Sequence, residues 1–277
     1  MATQTLVMDI MPENYRLLQS YVYALTGIVL DDTKHYLFQS RLAPIVKQYS
    51  LGSINDLCAL LHGKTNQDIG RQVVEAMTTN ETYFFRDPTQ YEAIRTSLLP
   101  GLRQLRQSNR KLSFWSAASS TGQEAYSLAM LLLEEGIRDW NVQILGTDFC
   151  SKVVERACSA TYQQIEINRG LPAALLLKHF QRHGLDWQLN ETVRNMARFQ
   201  TIDLRQSMRT LGPFDLVFCR NVMIYFDNET KQKIMKEIHG TLFRGGWLLL
   251  GGAETAFGLD EWFDRQTIGG TTVYVAR

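Results

Sequence analysis

Hydrophobic patterning divides the chain into two parts. Between about residues 10 and 80, apolar positions recur every three to four residues, as at Tyr15, Leu18, Val22 and Leu25, which predicts a helix over 13–26. The stretch from Gly27 to Asp32 interrupts it. Asp32 or Thr33 then stands where a cap is needed for a second helix over 35–49, and Ser53 for a third over 55–62. A fourth helix is predicted over 67–77. No two-residue alternation appears in this part, so residues 1–77 are expected to form a small all-α domain.

The next residues, 78–88, read TTNETYFFRDP, polar and aromatic together, and Pro88 disfavours continuous helix through Asp87. From Leu112 onward the period alternates. Strands are predicted over 112–118, 142–147, 199–202, 214–218, 246–250 and 271–276, with helices over 123–135, 153–161 and 231–243 between them. Strands alternating with helices imply an α/β domain over 89–277 with a mostly parallel sheet and right-handed crossovers.

Composition narrows the function classes. The 277 residues carry 29 Lys+Arg and 28 Asp+Glu, a formal charge of +1, which argues against a general nucleic-acid or anionic-membrane binder. No apolar run approaches the ~18 residues of a membrane span, so no direct membrane insertion is expected. The first residues lack the basic start and small-residue cleavage site of a secretory signal. Cys58, Cys150, Cys158 and Cys219 are scattered, which suits free thiols in a reducing cytoplasm.

Candidate chemistry gathers at the ends of the predicted strands, where doubly wound sheets bind ligands. The first strand runs into Ala118-Ser119-Ser120-Thr121-Gly122-Gln123-Glu124, small residues that let a ligand approach the backbone, though without the dinucleotide fingerprint. The second ends at Asp148, an acid suited to ribose hydroxyls. The third ends at Asp203-Leu204, near an adenine edge. Each acid alone reads more readily as a cap or surface charge; three at successive strand ends reverse that and point to a nucleotide site. The fourth strand gives FDLVFCRNVMIYFD, residues 214–227, in which an apolar strand closes on Cys219-Arg220-Asn221 with Tyr225 just beyond.

Together WSAASSTGQEAYSLA, GTDFCSKVVERA, FCRNVMIYFD and TTNETYFFRDP resemble the chemotaxis receptor methyltransferases, the CheR family. The resemblance covers about residues 10–277. It implies a class I (Rossmann-like) methyltransferase with a mostly parallel seven-stranded sheet, a small inserted β-hairpin around 186–194, and the all-α domain in front. It further implies a cytoplasmic protein-glutamate O-methyltransferase that uses S-adenosylmethionine, leaves S-adenosylhomocysteine, and acts on the helical cytoplasmic domain of chemoreceptors. Carried over by motif, Asn80, Thr82 and Arg86 of the 78–88 linker, Glu124, Asp148, Asp203, Leu204, Cys219, Arg220 and Asn221 line the cofactor. Arg86 and Tyr225 face the transferred methyl and the acceptor carboxylate. The family commonly has Asn-Leu where this chain has Asp203-Leu204. A methyltransferase for another acidic protein, or a non-catalytic cofactor-binding adaptor, are the alternatives.

A glutamate carboxylate is already ionised at neutral pH, so no general base is expected. His179 and His183 lie four apart but without an adjacent acid, and read as a solvated basic helix face, not as zinc ligands. Arg103, Arg106, Arg110 and Lys111 lack interleaved aromatics, so nucleic-acid binding is not expected. Lys34 and Arg41, seven residues apart, are expected to share a helix face that docks the acidic receptor. Some family members also tether receptors through a pentapeptide added to the inserted hairpin. With a single glycine, Gly184, in residues 180–199, this chain is expected not to bind it.

Overall fold

Ser53 punctuates the helical half as its sequence position suggests, its hydroxyl accepting the Asp56 N–H at 3.2 Å to open a helix. The computed structural model describes residues 9–62, 66–255, 258 and 260–277. The chain divides into two units, Met1–Thr79 with Tyr225–Asp227, and Asn80–Ile224 with Asn228–Arg277.

The first unit holds α1 (Pro12–Thr26), α2 (His35–Gln48), α3 (Ile54–Leu61) and α4 (Gln67–Met77). Their apolar faces meet in a core that includes Leu18, Val22, Phe38, Leu42, Leu57 and Val73. The residue that caps entry to α2 is Asp31, one position before the expected pair. Its carboxylate accepts the Thr33 N–H at 2.9 Å and opens a 3-10 turn, Asp32–Lys34, which runs directly into α2. Tyr225–Asp227 belong to this unit: Phe226 bridges to Ile28, the Val29 N–H donates to the Tyr225 carbonyl at 2.9 Å, and the Tyr23 hydroxyl donates to Asp227 at 2.7 Å.

Arg41 is not a free cation on a docking face. Its guanidinium donates to the carbonyls of Met77 and Thr78 at 2.9 and 3.0 Å and to the Thr79 hydroxyl at 2.9 Å. Those carbonyls are among the groups that the end of α4 leaves unbonded, and a cation there also opposes the negative end of the helix dipole. Lys34 lies in the 3-10 turn, outside α2, so it does not share a helix face with Arg41.

In the second unit, α5 (Pro88–Ala93), a π-helical stretch (Ile94–Leu98) and α6 (Leu99–Leu105) precede the first strand. Then follow β1 (Lys111–Ala117), α7 (Gln123–Glu134), β2 (Asn141–Asp148), α8 (Ser151–Ser159), β3 (Thr161–Tyr162), α9 (Gln164–Ile167) and α10 (Ala173–His179). The chain continues through β4 (Phe180–His183), β5 (Asp186–Leu189), α11 (Glu191–Arg194), β6 (Ala197–Thr201), β7 (Phe214–Cys219), α12 (Asn228–His239), β8 (Leu242–Leu250), β9 (Phe263–Ile268) and β10 (Thr271–Ala276). The seven-stranded sheet runs β6-β2-β1-β7-β8-β10-β9, parallel from β6 through β8 and antiparallel at β10 and β9. Strand order reverses between β1 and β7, so the ligand crevice of a doubly wound sheet opens at their carboxyl ends. β7 is buried along its whole length, and α7 is buried on nearly every side, as a helix packed inside a layered domain must be.

Four local expectations shift. The hairpin is β4–β5, with Gly184 and Leu185 between its strands; β3 joins it as a third strand, and 191–194 form a helical turn. The last helix stops at His239, and residues expected to continue it enter β8. β9 has no apolar alternation because it is a largely exposed edge strand. His179 closes α10 and is buried, its ring nitrogen 2.9 Å from Glu134, while His183 lies on β4; the expected solvated helix face does not exist. The basic cluster before β1 is partly engaged in the fold: Arg106 pairs with buried Asp215 at 2.8 Å and lies over the Phe243 ring, and Arg103 bonds the Glu135 carbonyl. No described helix is long and apolar enough to cross a membrane.

Replacing Arg41 by Ala removes three donors from the end of α4. Urea unfolding of the full chain should show a loss of about 1–3 kcal/mol.

Candidate active site

The loop from β1 into α7 carries the most unusual backbone. Ala118, Ser120 and Gly122 have φ of 59°, 50° and 93°, so every second residue is left-handed. Only glycine adopts this region freely, so two of these three positions hold a conformation that their surroundings must enforce. The enforcing bonds are identifiable. The Ser119 N–H donates to the Thr147 carbonyl at 2.7 Å, and the Ser120 N–H to Asp148 Oδ2 at 2.8 Å. The Ser120 hydroxyl donates to the Asn80 carbonyl at 2.8 Å, and the Tyr162 hydroxyl to the Thr121 carbonyl at 2.8 Å. The loop is thereby tied to the end of β2, to the linker and to β3.

Asp148, at the end of β2, is 8% exposed. Its Oδ1 also accepts the Cys150 N–H at 3.0 Å. Burial raises its pKa above the ordinary carboxylate value, and the backbone amides of Cys150, Ser120 and Phe149 pull it partly back. Each oxygen keeps lone-pair capacity beyond these bonds.

Arg220, the residue after β7, carries the buried charge of the site, with a side chain 1% exposed. Its Nη1 donates to Glu124 Oε2 at 2.8 Å. Its Nη2 donates to the Arg86 carbonyl and to Asp87 Oδ2, both at 2.6 Å. Burial opposes its charge, but Glu124, Tyr91 and Asp87 outweigh that and raise its pKa. Glu124 is held further by the Ser116 hydroxyl, which donates to Oε1 at 2.7 Å.

Of the sequence candidates, Asn80, Thr82, Arg86, Glu124, Asp148, Asp203, Leu204, Cys219, Arg220 and Asn221 all lie in the second unit. Direct bonds join the linker, Glu124 and Arg220, and separately join Asn80 to the loop that Asp148 holds. Thr82 is half-buried. The Arg86 guanidinium donates to the Glu81 carbonyl at 3.1 Å and has no carboxylate partner among the described residues. Asp203 grips Arg205 through both oxygens, at 3.0 Å from Nε and 2.7 Å from Nη2, with Leu204 buried beside it. The Cys219 thiol is fully buried, and burial, with Glu254 and Glu124 nearby, pushes its pKa well up, so it is no nucleophile. Tyr225 belongs to the first unit, packed against the helical core.

Two contributors escape sequence reading. Asp87 looks there like a helix-breaking neighbour of Pro88, yet it is one of the two carboxylates on Arg220. Glu254, 8% exposed, follows β8 in a glycine-containing stretch outside the sequence motifs. Its Oε2 accepts the N–H groups of Asn221 and Gly251 at 2.6 and 2.8 Å, and its Oε1 that of Ile224 at 3.3 Å. One carboxylate thus fixes the chain ends that leave β7 and β8. A Cβ on Gly251 would lie 2.7 Å from Asn221 Nδ2 and 2.8 Å from Glu254 Oε2, so only glycine admits this approach. Ser119 Oγ, Arg220 Nε and Asn221 Oδ1 are buried with no partner among the described residues, all at the carboxyl ends of β1 and β7.

Known proteins are similar to this chain in both of its parts. Residues 80–272 match the family described as CheR methyltransferase, SAM binding domain, and residues 13–78 match CheR methyltransferase, all-alpha domain. A chemotaxis protein methyltransferase of Vibrio parahaemolyticus is 35% identical over 257 residues, spanning 91% of this chain and 92% of its own. Chemotaxis protein methyltransferase 1 of Pseudomonas aeruginosa is 35% identical over 270 residues, spanning 95% and 98%. A solved TehB-like SAM-dependent methyltransferase from Corynebacterium glutamicum matches at 14% identity, with a TM-score of 0.37, covering 68% of this chain and 96% of that one.

Glu254→Ala strands three backbone donors. Thermal and urea unfolding should report a loss of about 2–4 kcal/mol, larger than for an ordinary surface carboxylate.

Proposed function

The chain belongs to the CheR methyltransferase family and is an S-adenosylmethionine-dependent methyltransferase of chemotaxis; from that membership we propose that its acceptor is a glutamate carboxylate on the helical cytoplasmic part of a chemoreceptor. The observation that carries the reading is the group of buried polar side chains at the carboxyl ends of β1, β2 and β7, which includes no base–nucleophile pair among the described residues. A glutamate has an unperturbed pKa of ~4.3 and is ionised at neutral pH, so it needs positioning, not deprotonation.

The residues at the crevice fit the cofactor. Three buried polar atoms, Ser119 Oγ, Arg220 Nε and Asn221 Oδ1, have no partner among the described residues, and Asp148 retains lone pairs. S-adenosylmethionine supplies a methyl group made electrophilic by its sulfonium. Asp148 holds the ribose hydroxyls, and the Asp203-Leu204 pair borders the adenine. Glu124, Cys219, Arg220 and Asn221 shape the methionine end, with Asn80 and Thr82 of the linker. Both oxygens of Glu124 are already bonded within the protein, so it serves chiefly to fix Arg220 and the start of α7. Arg86, without a carboxylate partner among the described residues, orients the acceptor carboxylate through its fork of N–H donors. The relatives' role in chemotaxis favours this over methylation of an unrelated acidic protein, and an Arg86 guanidinium with no carboxylate partner among the described residues favours an enzyme over an adaptor.

The test is transfer of labelled methyl from the cofactor to receptor-containing membranes. Label that alkali releases as methanol identifies a carboxyl ester; alkali-stable label, or none, contradicts the reading. Asp148 supplies a pH signature. Its ionised carboxylate accepts ribose hydroxyls more strongly than the protonated acid does, and its pKa is raised by burial. S-adenosylhomocysteine affinity should therefore be full at neutral pH and fall as the pH drops through a range above the usual ~3.9. The same burial penalises the folded carboxylate above that range, so its effect on stability has the opposite sign. Calorimetry should show the pH dependence disappearing in Asp148→Asn, with affinity lower by roughly 1.5–3 kcal/mol at pH 7.

Receptor capture proceeds without the pentapeptide tether. β4 is an edge strand, but it presents exposed Gln181, Arg182 and His183, and Arg182 lies over the Trp187 ring. Bulky and charged edge residues oppose strand addition. Titration of the free peptide should give no heat; micromolar binding contradicts the proposal.

A further inference from the structure

We propose that Asp87 is a positioning residue that sets the direction of Arg86 through Arg220. The proposal rests on the assignment of Arg86 to the acceptor carboxylate. Arg86 lies between two left-handed non-glycine residues, Phe85 at φ 52° and Asp87 at φ 59°. A conformation of that kind persists only where several bonds impose it. Here they are the Phe85 N–H donating to Ser127 Oγ at 2.9 Å, the Gln90 N–H donating to the Asp87 carbonyl at 2.9 Å, and the two Arg220 bonds.

The Arg220 bonds have a particular geometry. One nitrogen, Nη2, donates both to the carbonyl of Arg86 and to the side chain of the next residue, Asp87, each at 2.6 Å. This closes a small ring on the peptide unit that follows the Arg86 Cα. The ring resists rotation of that peptide where a single bond to the carbonyl would permit it. The partners differ in burial: the Arg220 side chain is 1% exposed and that of Asp87 40%. Removing the Asp87 carboxylate leaves Arg220 paired with Glu124 and still bonded to the Arg86 carbonyl, so no buried charge is abandoned. What is lost is the ring, and with it the fixed origin from which the Arg86 side chain projects. Small misplacements of an orienting group cost rate far more than they cost cofactor binding.

Two substitutions in the full-length protein test this. Asp87→Gly removes the carboxylate and tolerates φ 59° without strain, which separates the side chain from the backbone it occupies. Asp87→Asn keeps an acceptor without the charge. For Asp87→Gly, turnover at saturating acceptor membranes should fall at least ~10-fold while S-adenosylhomocysteine affinity stays within about twofold. Amide hydrogen exchange in peptides covering 83–88 should quicken at least ~10-fold, with α7 and β7 unchanged. Asp87→Asn should recover part of both. Unchanged exchange over 83–88, unchanged turnover, or cofactor affinity falling in step with turnover overturns the proposal. If the wild-type protein esterifies no acceptor glutamate, the functional reading fails, and the exchange and affinity measurements still decide whether Asp87 orders the linker.

Discussion

A guanidinium with a side chain 1% exposed cannot be left unpaired, and the satisfaction of Arg220 organises the second unit around it. Its partners come from two places distant from it in sequence: Glu124 at the start of α7, and the linker, through the carbonyl of Arg86 and the side chain of Asp87. Breaking such a buried pair from one side typically costs about 3–5 kcal/mol. That penalty makes the linker part of the folded site. Glu254 does the corresponding work for the chain that leaves β7 and β8, with neutral amides in place of a cation.

Local strain collects where these constraints meet. Phe85, Asp87, Ala118, Ser120 and Asn221 all take positive φ, and all lie in the linker or just beyond the carboxyl ends of β1 and β7. Each conformation costs about 1–2 kcal/mol outside glycine. The sheet offsets that cost elsewhere, through the buried α7 and through β7, whose six residues are all buried. A rigid layered core that supports irregular loops suits the proposed carboxylate acceptor, whose methylation would require alignment more than a proton acceptor.

The same logic accounts for groups that remain inert. Cys219 is adjacent to the crevice, yet burial keeps its thiol protonated. His179 is held against Glu134, away from any nucleophile. Titratable chemistry is thus kept apart from a reaction that does not use it.

Periodicity alone predicted the helical first part, the alternating second part, and the acids at successive strand ends, because each depends on spacing that folding does not alter. Local pattern also placed Ser53 as a cap, since an N-cap acts on an amide three residues away. It missed Asp31 by one position, because adjacent acids compete for the same role and only the backbone selects between them. It gave no sign of β9, whose exposed edge needs no alternation, nor that Arg41 closes α4 from another helix. Asp87 and Glu254 were equally invisible. Both act on partners 33 or more residues away, Asp87 on Arg220 and Glu254 on Asn221, and a carboxylate in a polar turn looks alike in sequence whether it faces water or a buried donor. Composition and period decided the layers and the end of the sheet that is functional. Which charges are buried together was decided only when the strand order brought β1 beside β7, because the cost of an unpaired charge is set by the low dielectric of the folded interior.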